Sequence, residues 1–331
     1  MGIILSHDVV PWKEVDVQSR LDLSERMRQD FGLEAIGLEC IFFETSQIAD
    51  PSKTLTQVRH LRGSLKKRGF ETIRISLHLP WAPWQKANLD EETFEGEFFA
   101  DFLTALDGEV DVFTMHASTD IPLEQIKKGN WYRRGQRLER VCDNIKRLSK
   151  CCRMLCLENV PLPTEPNKPG CGHDIGVLPS DFQYIFGVVR APNLFYTLDT
   201  SHAWITQDSC RHLTAGKNPA GQKVGLPDYP GFFHEQMPEI QRLARLGMDY
   251  YIGALGAWLR HIHFADRQGL NHGVVPGKGE AELGQLQSAY DKLRRLARGK
   301  EMIVVGEVAE KDYASCPHTY ETLRLLCQWG K

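Results

Sequence analysis

Ionisable side chains recur in this sequence where short apolar runs end. Each run is rich in branched or aromatic residues, and each stops at a histidine or a carboxylate, namely at His7, Glu39, His78, His116, Glu158, Asp199 with His202, His263 with Asp266, and Glu307. Carboxylate oxygens and neutral imidazole nitrogens are ordinary ligands for zinc, manganese and similar divalent ions. A buried carboxylate is costly alone, whereas one cation compensates several together. The pattern therefore predicts a divalent metal site, with a hydrogen-bonded structural network as the alternative.

The pattern is clearest in the run NLFYTLDTSH, residues 193–202, where a strand-like apolar stretch ends in Asp199 and His202. A rigid strand would fix the direction of both side chains toward a ligand. Taken alone, Asp-Thr-Ser-His is equally typical of a turn in which the aspartate caps the following backbone. The recurrence of the same arrangement along the chain favours the ligand interpretation.

Eight such apolar runs alternate with helical regions along the chain. The strand-like segments are residues 2–7, 35–43, 73–78, 110–116, 154–160, 193–199, 259–266 and 302–307. Between them, apolar residues recur at helical spacing, as at Leu55, Val58, Leu61 and Leu65. Right-handed crossovers close such a series into an α/β fold of the (β/α)8 TIM barrel type, which we predict as a single domain over residues 1–331. An open doubly wound sheet is the alternative, but no glycine-rich phosphate loop follows the first strand.

The composition limits the class of protein. The 331 residues are 42% hydrophobic and 25% charged, and no run is long and uncharged enough to span a bilayer. The first residues, MGIILSHD, lack the basic region of a signal peptide, so a cytoplasmic location is predicted. Nine cysteines, an odd number, indicate reduced and mostly buried thiols. A net charge of −3 and a pI near 6.5 give no electrostatic footprint for nucleic acid.

The ordered set of ligands carries a resemblance to a known family. Histidine ends strands three and four, glutamate ends strand five, Asp-x-x-His follows strand six, His-x-x-Asp follows strand seven and glutamate ends strand eight. This order resembles the xylose isomerase-like superfamily, and more narrowly the family that joins sugar isomerases and epimerases with endonuclease IV type AP endonucleases. The resemblance covers nearly the whole chain and implies a xylose isomerase-like barrel.

In the isomerase and epimerase branch, the resemblance implies one divalent ion (Zn, Mn, Co or Mg) held by Glu158, Asp199, His263 and Glu307. The ion would lower the cost of an enediolate formed from a carbohydrate substrate, while Glu158 and Glu307 act as the acid/base pair. His202 would hydrogen-bond the substrate oxygen that develops charge. A metal-dependent dehydratase using the same site is a variant of this reading. Related barrels often associate, which is compatible with a homo-oligomer.

The endonuclease IV-like zinc phosphodiesterase is the competing function. That branch would add His78 and His116 as ligands of a first zinc ion, and an Asp-x-His motif as ligands of a third. Here the motif reads Gly-Leu-Asn-His, so His272 is present while Leu270 or Asn271 replaces the aspartate. The complete single-metal set and the acidic pI favour the sugar enzyme, with nucleic acid as the less favoured substrate. A non-catalytic metal-binding or scaffold role is the third reading.

Loop residues supply the remaining candidates. Four tryptophans, Trp81, Trp84, Trp131 and Trp204, could form an apolar wall against sugar carbons, although such tryptophans also pack under loops. His7 and Asp266 are the expected polar substrate contacts. The long connection at about 205–230 is predicted to be a lid. The basic run from 131 to 137, WYRRGQR, could meet a phosphate or a carboxylated sugar, or be the solvated start of a helix.

Overall fold

Eight parallel strands close into a barrel, as the sequence predicts. The computed structural model describes residues 2–81, 86–118, 120–122, 133–163, 171–217, 235–310 and 312–331. The barrel strands are β1 (Ile3–Val9), β2 (Ala35–Ile41), β3 (Thr72–His78), β4 (Val112–His116), β6 (Leu155–Glu158), β8 (Leu194–Asp199), β9 (Leu259–His263) and β12 (Met302–Gly306). They pair in the order β1-β2-β3-β4-β6-β8-β9-β12, and β12 returns to β1. The fold class is therefore confirmed.

Four short strands lie outside the barrel and form two antiparallel ladders. The first joins β5 (Ile121–Pro122) to β7 (Cys171–Gly172), and the second joins β10 (Asp266–Gln268) to β11 (Asn271–Val274). The second ladder directly follows strand β9, so it lies at the carboxyl end of the barrel. In TIM barrels this end carries the active site.

Helices cover the outside of the barrel. They are α1 (Glu14–Phe31), α2 (Pro51–Lys67), α3 (Gly96–Leu106), α4 (Arg134–Leu148), α5 (Pro179–Val189), α6 (Thr200–Thr214), α7 (Met237–Leu246), α8 (Met248–Leu255), α9 (Leu283–Leu296) and α10 (Pro317–Gly330). Helix α1 ends at Gly32, whose left-handed φ of 69° lets its N–H bond the carbonyl of Arg28. Among the described residues, none of the helices is both long and apolar enough to cross a membrane.

The main hydrophobic core lies between the strands and the helices, whereas the barrel interior is largely polar. A small apolar cluster inside the barrel consists of Val112, Cys156, Ile303 and Val305. Buried polar residues of the strands include Ser6, Glu39, Ser76, Thr114, Thr197, His261 and His263. Buried polar groups need partners or ligands. The buried polar side chains of the interior are therefore the place to look for a ligand site.

Two expectations about connecting segments are corrected in part. The predicted lid at about 205–230 begins inside helix α6, which runs to Thr214, and residues 218–230 lie outside the described residues. The aspartate that ends β8 also caps α6, so the chain turns into a helix without an intervening loop. Helix α4 does start inside the basic run, at Arg134, as one of the two alternatives predicts, but two arginines of the run are paired rather than solvated. Arg134 donates to the carbonyl of Asp174, and Arg137 pairs with the carboxylates of Asp90 and Asp174.

The cysteine expectation is met. The eight cysteines whose side chains the structure describes are free thiols, and seven of them are buried. Burial raises the pKa of the Cys142, Cys316 and Cys327 thiols to about 11. Such thiols are unreactive packing residues.

Candidate metal and catalytic site

Four predicted ligands meet at the carboxyl end of the barrel. Ligand atoms of Glu158, Asp199, His263 and Glu307 all lie within 4.8 Å of one another. These residues end or follow β6, β8, β9 and β12, which are consecutive in the barrel, so strand pairing itself brings them together. Residues far apart in the sequence thus form one group, which we call the carboxylate-rich group.

His263 lies at the centre of the carboxylate-rich group. Its Nδ1 is 3.0 Å from Oε1 of Glu158 and 3.0 Å from Oε2 of Glu307. The side chains of His263 and Glu158 are each 1% exposed, whereas that of Glu307 is 26% exposed. Glu307 is therefore the carboxylate that a molecule entering from solvent meets first.

Asn159 braces the ends of strands β6 and β8. Its side-chain amide donates to the carbonyl of Asp199 (3.0 Å), and its Oδ1 accepts the N–H of Asp199 and the hydroxyl of Tyr196 (2.8 Å each). Oδ1 of Asp199 accepts the N–H of His202 at 2.7 Å as the cap of α6. Asp199 is held from both sides, so its carboxylate has a fixed direction. Sequence reasoning missed Asn159, although it directly follows a predicted ligand.

The ionisable side chains of the carboxylate-rich group shift one another's pKa. Burial opposes charge on His263, but Glu158, Glu39 and Glu307 outweigh it and hold its pKa well above 6.5. Although burial opposes the charge of Glu158, His263 and other histidines hold the pKa of that carboxyl well below 4.5. Burial, Glu307 and Glu158 together raise the pKa of Asp199 well above 3.8. The carboxyl of Asp199 thus gives up its proton less readily than an ordinary aspartate.

A divalent cation fits this arrangement. Three carboxylates and one imidazole are an ordinary donor set for Mn²⁺, Mg²⁺ or Zn²⁺, and such a charge would relieve the repulsion that raises the pKa of Asp199. The fit rests on ligand type, convergence and charge together.

A second group, which we call the histidine-rich group, shares Glu158. Ligand atoms of His78, His116 and Glu158 also lie within 4.8 Å of one another. Nε2 of His78 is 2.9 Å and Nε2 of His116 is 3.5 Å from Oε2 of Glu158. Nδ1 of His78 donates to the carbonyl of Leu79 at 2.9 Å, which leaves Nε2 to face the site. These are the ligand atoms that the endonuclease hypothesis assigns to a further ion, and they lie close enough together to hold one.

His202 and His272 lie beside these groups. Nδ1 of His202 donates to the carbonyl of Asn159 at 2.9 Å, so its Nε2 is left for another partner. Burial lowers the pKa of His202 and of His116, which favours neutral rings. The rings of His202 and His272 are 5.2 Å apart between centroids. His272 thus reaches the edge of the site from strand β11.

The tryptophans that were predicted to line the site differ in where they lie. The ring of Trp81 is 4.9 Å from that of His78 and 5.7 Å from that of His116, so it lies beside the histidine-rich group. Trp84 and Trp131 lie outside the described residues. Trp204 lies on α6 and lines a surface groove with Arg211 of α6 and Lys292 of α9. The prediction that Trp204 belongs to a wall over the site is wrong, because its helix directs it into the helix layer.

The two predicted polar contacts also lie elsewhere. Nε2 of His7 is 2.9 Å from Oγ of Ser24 on α1, so His7 faces outward from the barrel. The carboxylate of Asp266 is buried and accepts four backbone N–H groups, those of Arg267, Gly277, Gly279 and Ala281. Both expectations of substrate binding are corrected, because His7 supports a helix and Asp266 organises a loop.

Asp8, and not the predicted His7, is the residue of β1 that faces the barrel interior. Asp8 pairs in register with Glu39, which contacts His263 across the barrel, so Asp8 faces the interior. Its carboxylate is 3.3 Å from the buried guanidinium of Arg20 and is 16% exposed. Burial and Glu307 raise the pKa of Asp8 to about 7 against the opposing charge of Arg20. Strict alternation along β1 was the signal that could have found it.

The fold and the site together define the class of protein. Residues 30–306 match the family described as xylose isomerase-like TIM barrel. The chain belongs to this family.

Solved structures of similar fold are named as sugar epimerases. They include the 3-keto-D-glucoside 4-epimerase YcjR from E. coli (13% identity, TM-score 0.58, covering 98% of this chain and 99% of that one) and a D-tagatose 3-epimerase-like protein (16%, 0.57, 99% and 97%). A third is the D-allulose 3-epimerase from Methylomonas sp. in complex with D-allulose (12%, 0.57, 99% and 97%). At these identities the likeness shows the fold. No curated protein matches this chain significantly in sequence.

Proposed function

We propose that this protein is a divalent-metal-dependent sugar isomerase or epimerase. The convergence of Glu158, Asp199, His263 and Glu307 within 4.8 Å carries the proposal. These four residues would hold the cation, which when bound would polarise the substrate's carbonyl and neighbouring hydroxyl oxygens. The names of the similar solved structures support a carbohydrate as the substrate.

Glu158 and Glu307 are the proposed acid/base pair. Both carboxylates approach Nδ1 of His263, at 3.0 Å each, and they extend from strands that are not neighbours in the barrel. One would remove the proton from the carbon next to the carbonyl, and the other would return a proton to the opposite face. Inversion at that carbon is epimerisation. Delivery to the adjacent carbon instead would interconvert aldose and ketose.

Surrounding residues would orient the sugar. Nε2 of His202 would hydrogen-bond the substrate oxygen that gains charge, since Nδ1 of this ring is held by the carbonyl of Asn159. Trp81 would offer an apolar face beside the histidines. Asp8, at the inner face of β1, would accept hydroxyl groups of the sugar.

The test is isotope exchange with a panel of ketoses. Protein freed of metal and reloaded with Mn²⁺, Co²⁺, Mg²⁺ or Zn²⁺ would be incubated in ²H₂O with D-allulose, D-tagatose, D-fructose and a 3-ketoglucoside. We expect an epimer or isomer that carries deuterium at the reacting carbon, and loss of both signals in Glu158→Gln. A metal-loaded protein that neither converts nor labels any of these sugars would reject the proposal.

A zinc phosphodiesterase is the second candidate. A sugar enzyme with one ion does not need the histidine-rich group, whereas the phosphodiesterase would use it to hold a further zinc ion. Its activity would nick DNA at abasic sites and require His116, which the sugar enzyme could lose at a smaller cost. Replacement of the expected aspartate by Leu270 or Asn271 removes one ligand of a third ion. Cleavage of abasic DNA at rates above those of a His116→Asn variant would favour this function over the first.

A further inference from the structure

Glu39 lies behind the candidate site and takes part in neither ligand group. It is a fully buried residue on β2. Its Oε2 is 2.9 Å from Nε2 of His263, and its Oε1 is 3.5 Å from Nε2 of His261. Strands β2 and β9 are not neighbours in the barrel, so these contacts cross the interior. Glu39 therefore touches the ring of His263 on the side opposite Glu158 and Glu307.

The surroundings of Glu39 make its charge costly. Among the described residues, neither of its carboxylate oxygens has an aligned hydrogen-bond donor, and Nε2 of His261 and Nε2 of His263 have no aligned hydrogen-bond partner. Burial opposes the charge of Glu39, but His263 and His261 hold the pKa of its carboxyl below 4.5. A carboxylate kept in such a place has the two imidazoles as its partners.

The role of Glu39 follows from which ring nitrogen of His263 carries the proton. Nδ1 faces Glu158 and Glu307, and Nε2 faces Glu39. A neutral imidazole carries one proton, and the nitrogen that binds a cation must be the unprotonated one. With the cation at Nδ1, the proton belongs on Nε2, where Glu39 is the acceptor within reach.

We propose that Glu39 is a positioning residue, which accepts the Nε2–H of His263 and thereby presents the Nδ1 lone pair to the cation. The inference rests on the proposed metal-dependent function and adds to it a residue that does not touch substrate. A carboxylate behind a ligating histidine fixes the tautomer and the ring orientation and increases the basicity of the ligand.

His261 holds Glu39 from the other side. Nδ1 of His261 is 3.3 Å from Oγ1 of Thr114 and 3.4 Å from Oγ1 of Thr197, so the two hydroxyls fix the orientation of the ring. This orientation directs Nε2 of His261 toward Glu39. The carboxylate is thereby fixed between two rings, of which only His263 reaches the carboxylate-rich group.

A second ion held directly by Glu39, His261 and His263 is the competing explanation, since their ligand atoms also lie within 4.8 Å of one another. Positioning is favoured because one ring of His263 would otherwise have to bind ions through both nitrogens, which requires an imidazolate. All three residues are at most 1% exposed, whereas the carboxylate-rich group includes Glu307, whose side chain is 26% exposed.

The test is metal affinity, measured without substrate by competition between the protein and a chelator for Mn²⁺ or Zn²⁺. Glu39→Leu removes the acceptor, and Glu39→Gln keeps the shape and an acceptor oxygen but removes the charge. Glu301→Gln is the matched control, because Glu301 pairs with Arg74 before the start of β12, at the other end of the barrel. Melting temperatures of the metal-free proteins would report folding separately.

We expect Glu39→Leu to bind the ion about 10- to 100-fold more weakly, with Glu39→Gln between it and the wild type and Glu301→Gln unchanged. In the zinc-loaded wild type, ¹⁵N NMR of the imidazole rings would show the proton of His263 on Nε2. Unchanged affinity in folded Glu39→Leu would overturn the inference, as would a second bound ion that this variant loses. If the wild type binds no divalent ion, the proposed function itself fails, which is a different result.

Discussion

Ionisable residues at the strand ends of this barrel fall into two classes, which differ in the side of the wall they face. On β1 the two classes are adjacent, because His7 contacts Ser24 of a helix while Asp8 faces the interior. The inward class converges on Glu158 and His263, and the outward class supports the structure. A position at a strand end thus does not by itself make a residue part of the site. The residue belongs to the site only if its side chain faces the barrel interior.

The largest effect is expected at an inward residue. Glu307→Gln removes one carboxylate of the proposed acid/base pair and keeps its size, so kcat should fall about 10³-fold with sugar substrate. Glu310→Gln is the control, since Glu310 lies three residues later and caps α10 by accepting the N–H groups of His318 and Thr319. Steady-state kinetics and circular dichroism measure both variants. Retained turnover in Glu307→Gln would contradict the two-glutamate mechanism.

A smaller effect, on stability, is expected where a strand-end carboxylate is structural. Asp266→Asn would turn an amide toward backbone donors that now share the carboxylate, costing about 2–3 kcal/mol of the free energy of unfolding. Urea denaturation measures the loss. At a temperature where the variant is folded, KM for the sugar should stay within about twofold, since no substrate contact is removed. An intact stability with a raised KM would place Asp266 back among the substrate contacts.

The outward residue of β1 should affect only the response to acid. Burial and Arg20 lower the pKa of His7 from 6.5 to about 3. The unfolded chain therefore binds one more proton than the folded protein between these values, and stability falls as the pH falls through this window. One proton corresponds to about 1.4 kcal/mol per pH unit.

His7→Gln keeps a partner for Ser24 but does not titrate. Its free energy of unfolding should therefore change less between pH 6 and pH 5 than that of the wild type, by about 1 kcal/mol. Equal slopes in the two proteins would show that His7 is not buried as a neutral ring.

The smallest effect is expected for the inward neighbour of His7. In an assay above pH 7, where the Asp8 carboxyl with its pKa of about 7 is mostly charged, Asp8→Asn should raise KM for the sugar about three- to tenfold and change kcat little, because a charged acceptor becomes a neutral one. Steady-state kinetics on the same ketose as above measure it. A fall in kcat as large as that of Glu307→Gln would assign Asp8 to the proton transfer instead.

The sequence predicted the barrel and its convergent ligands for a physical reason. Parallel strands place their carboxyl ends on one face, so apolar runs that end in Glu158, Asp199, His263 and Glu307 were bound to meet. It assigned the wrong residue of β1, His7 instead of Asp8, to the interior, because the apolar run of β1 leads into both. The predictions that Trp204 forms a wall over the site and that a lid starts at residue 205 were wrong because Asp199 both ends a strand and caps a helix, which contains both positions. Glu39 was named at a strand end, but its contacts with His261 and His263 were not predicted, because these partners lie across the barrel.

The most direct measurement is the number and identity of metal ions per chain, by elemental analysis of protein purified without chelators, in the wild type and in Glu158→Ala. The account predicts about one divalent ion in the wild type and its loss in the variant, because Glu158 belongs to both ligand groups. About three zinc ions would shift the assignment to the phosphodiesterase. A wild type without divalent metal, and unable to take it up, would contradict the central claim.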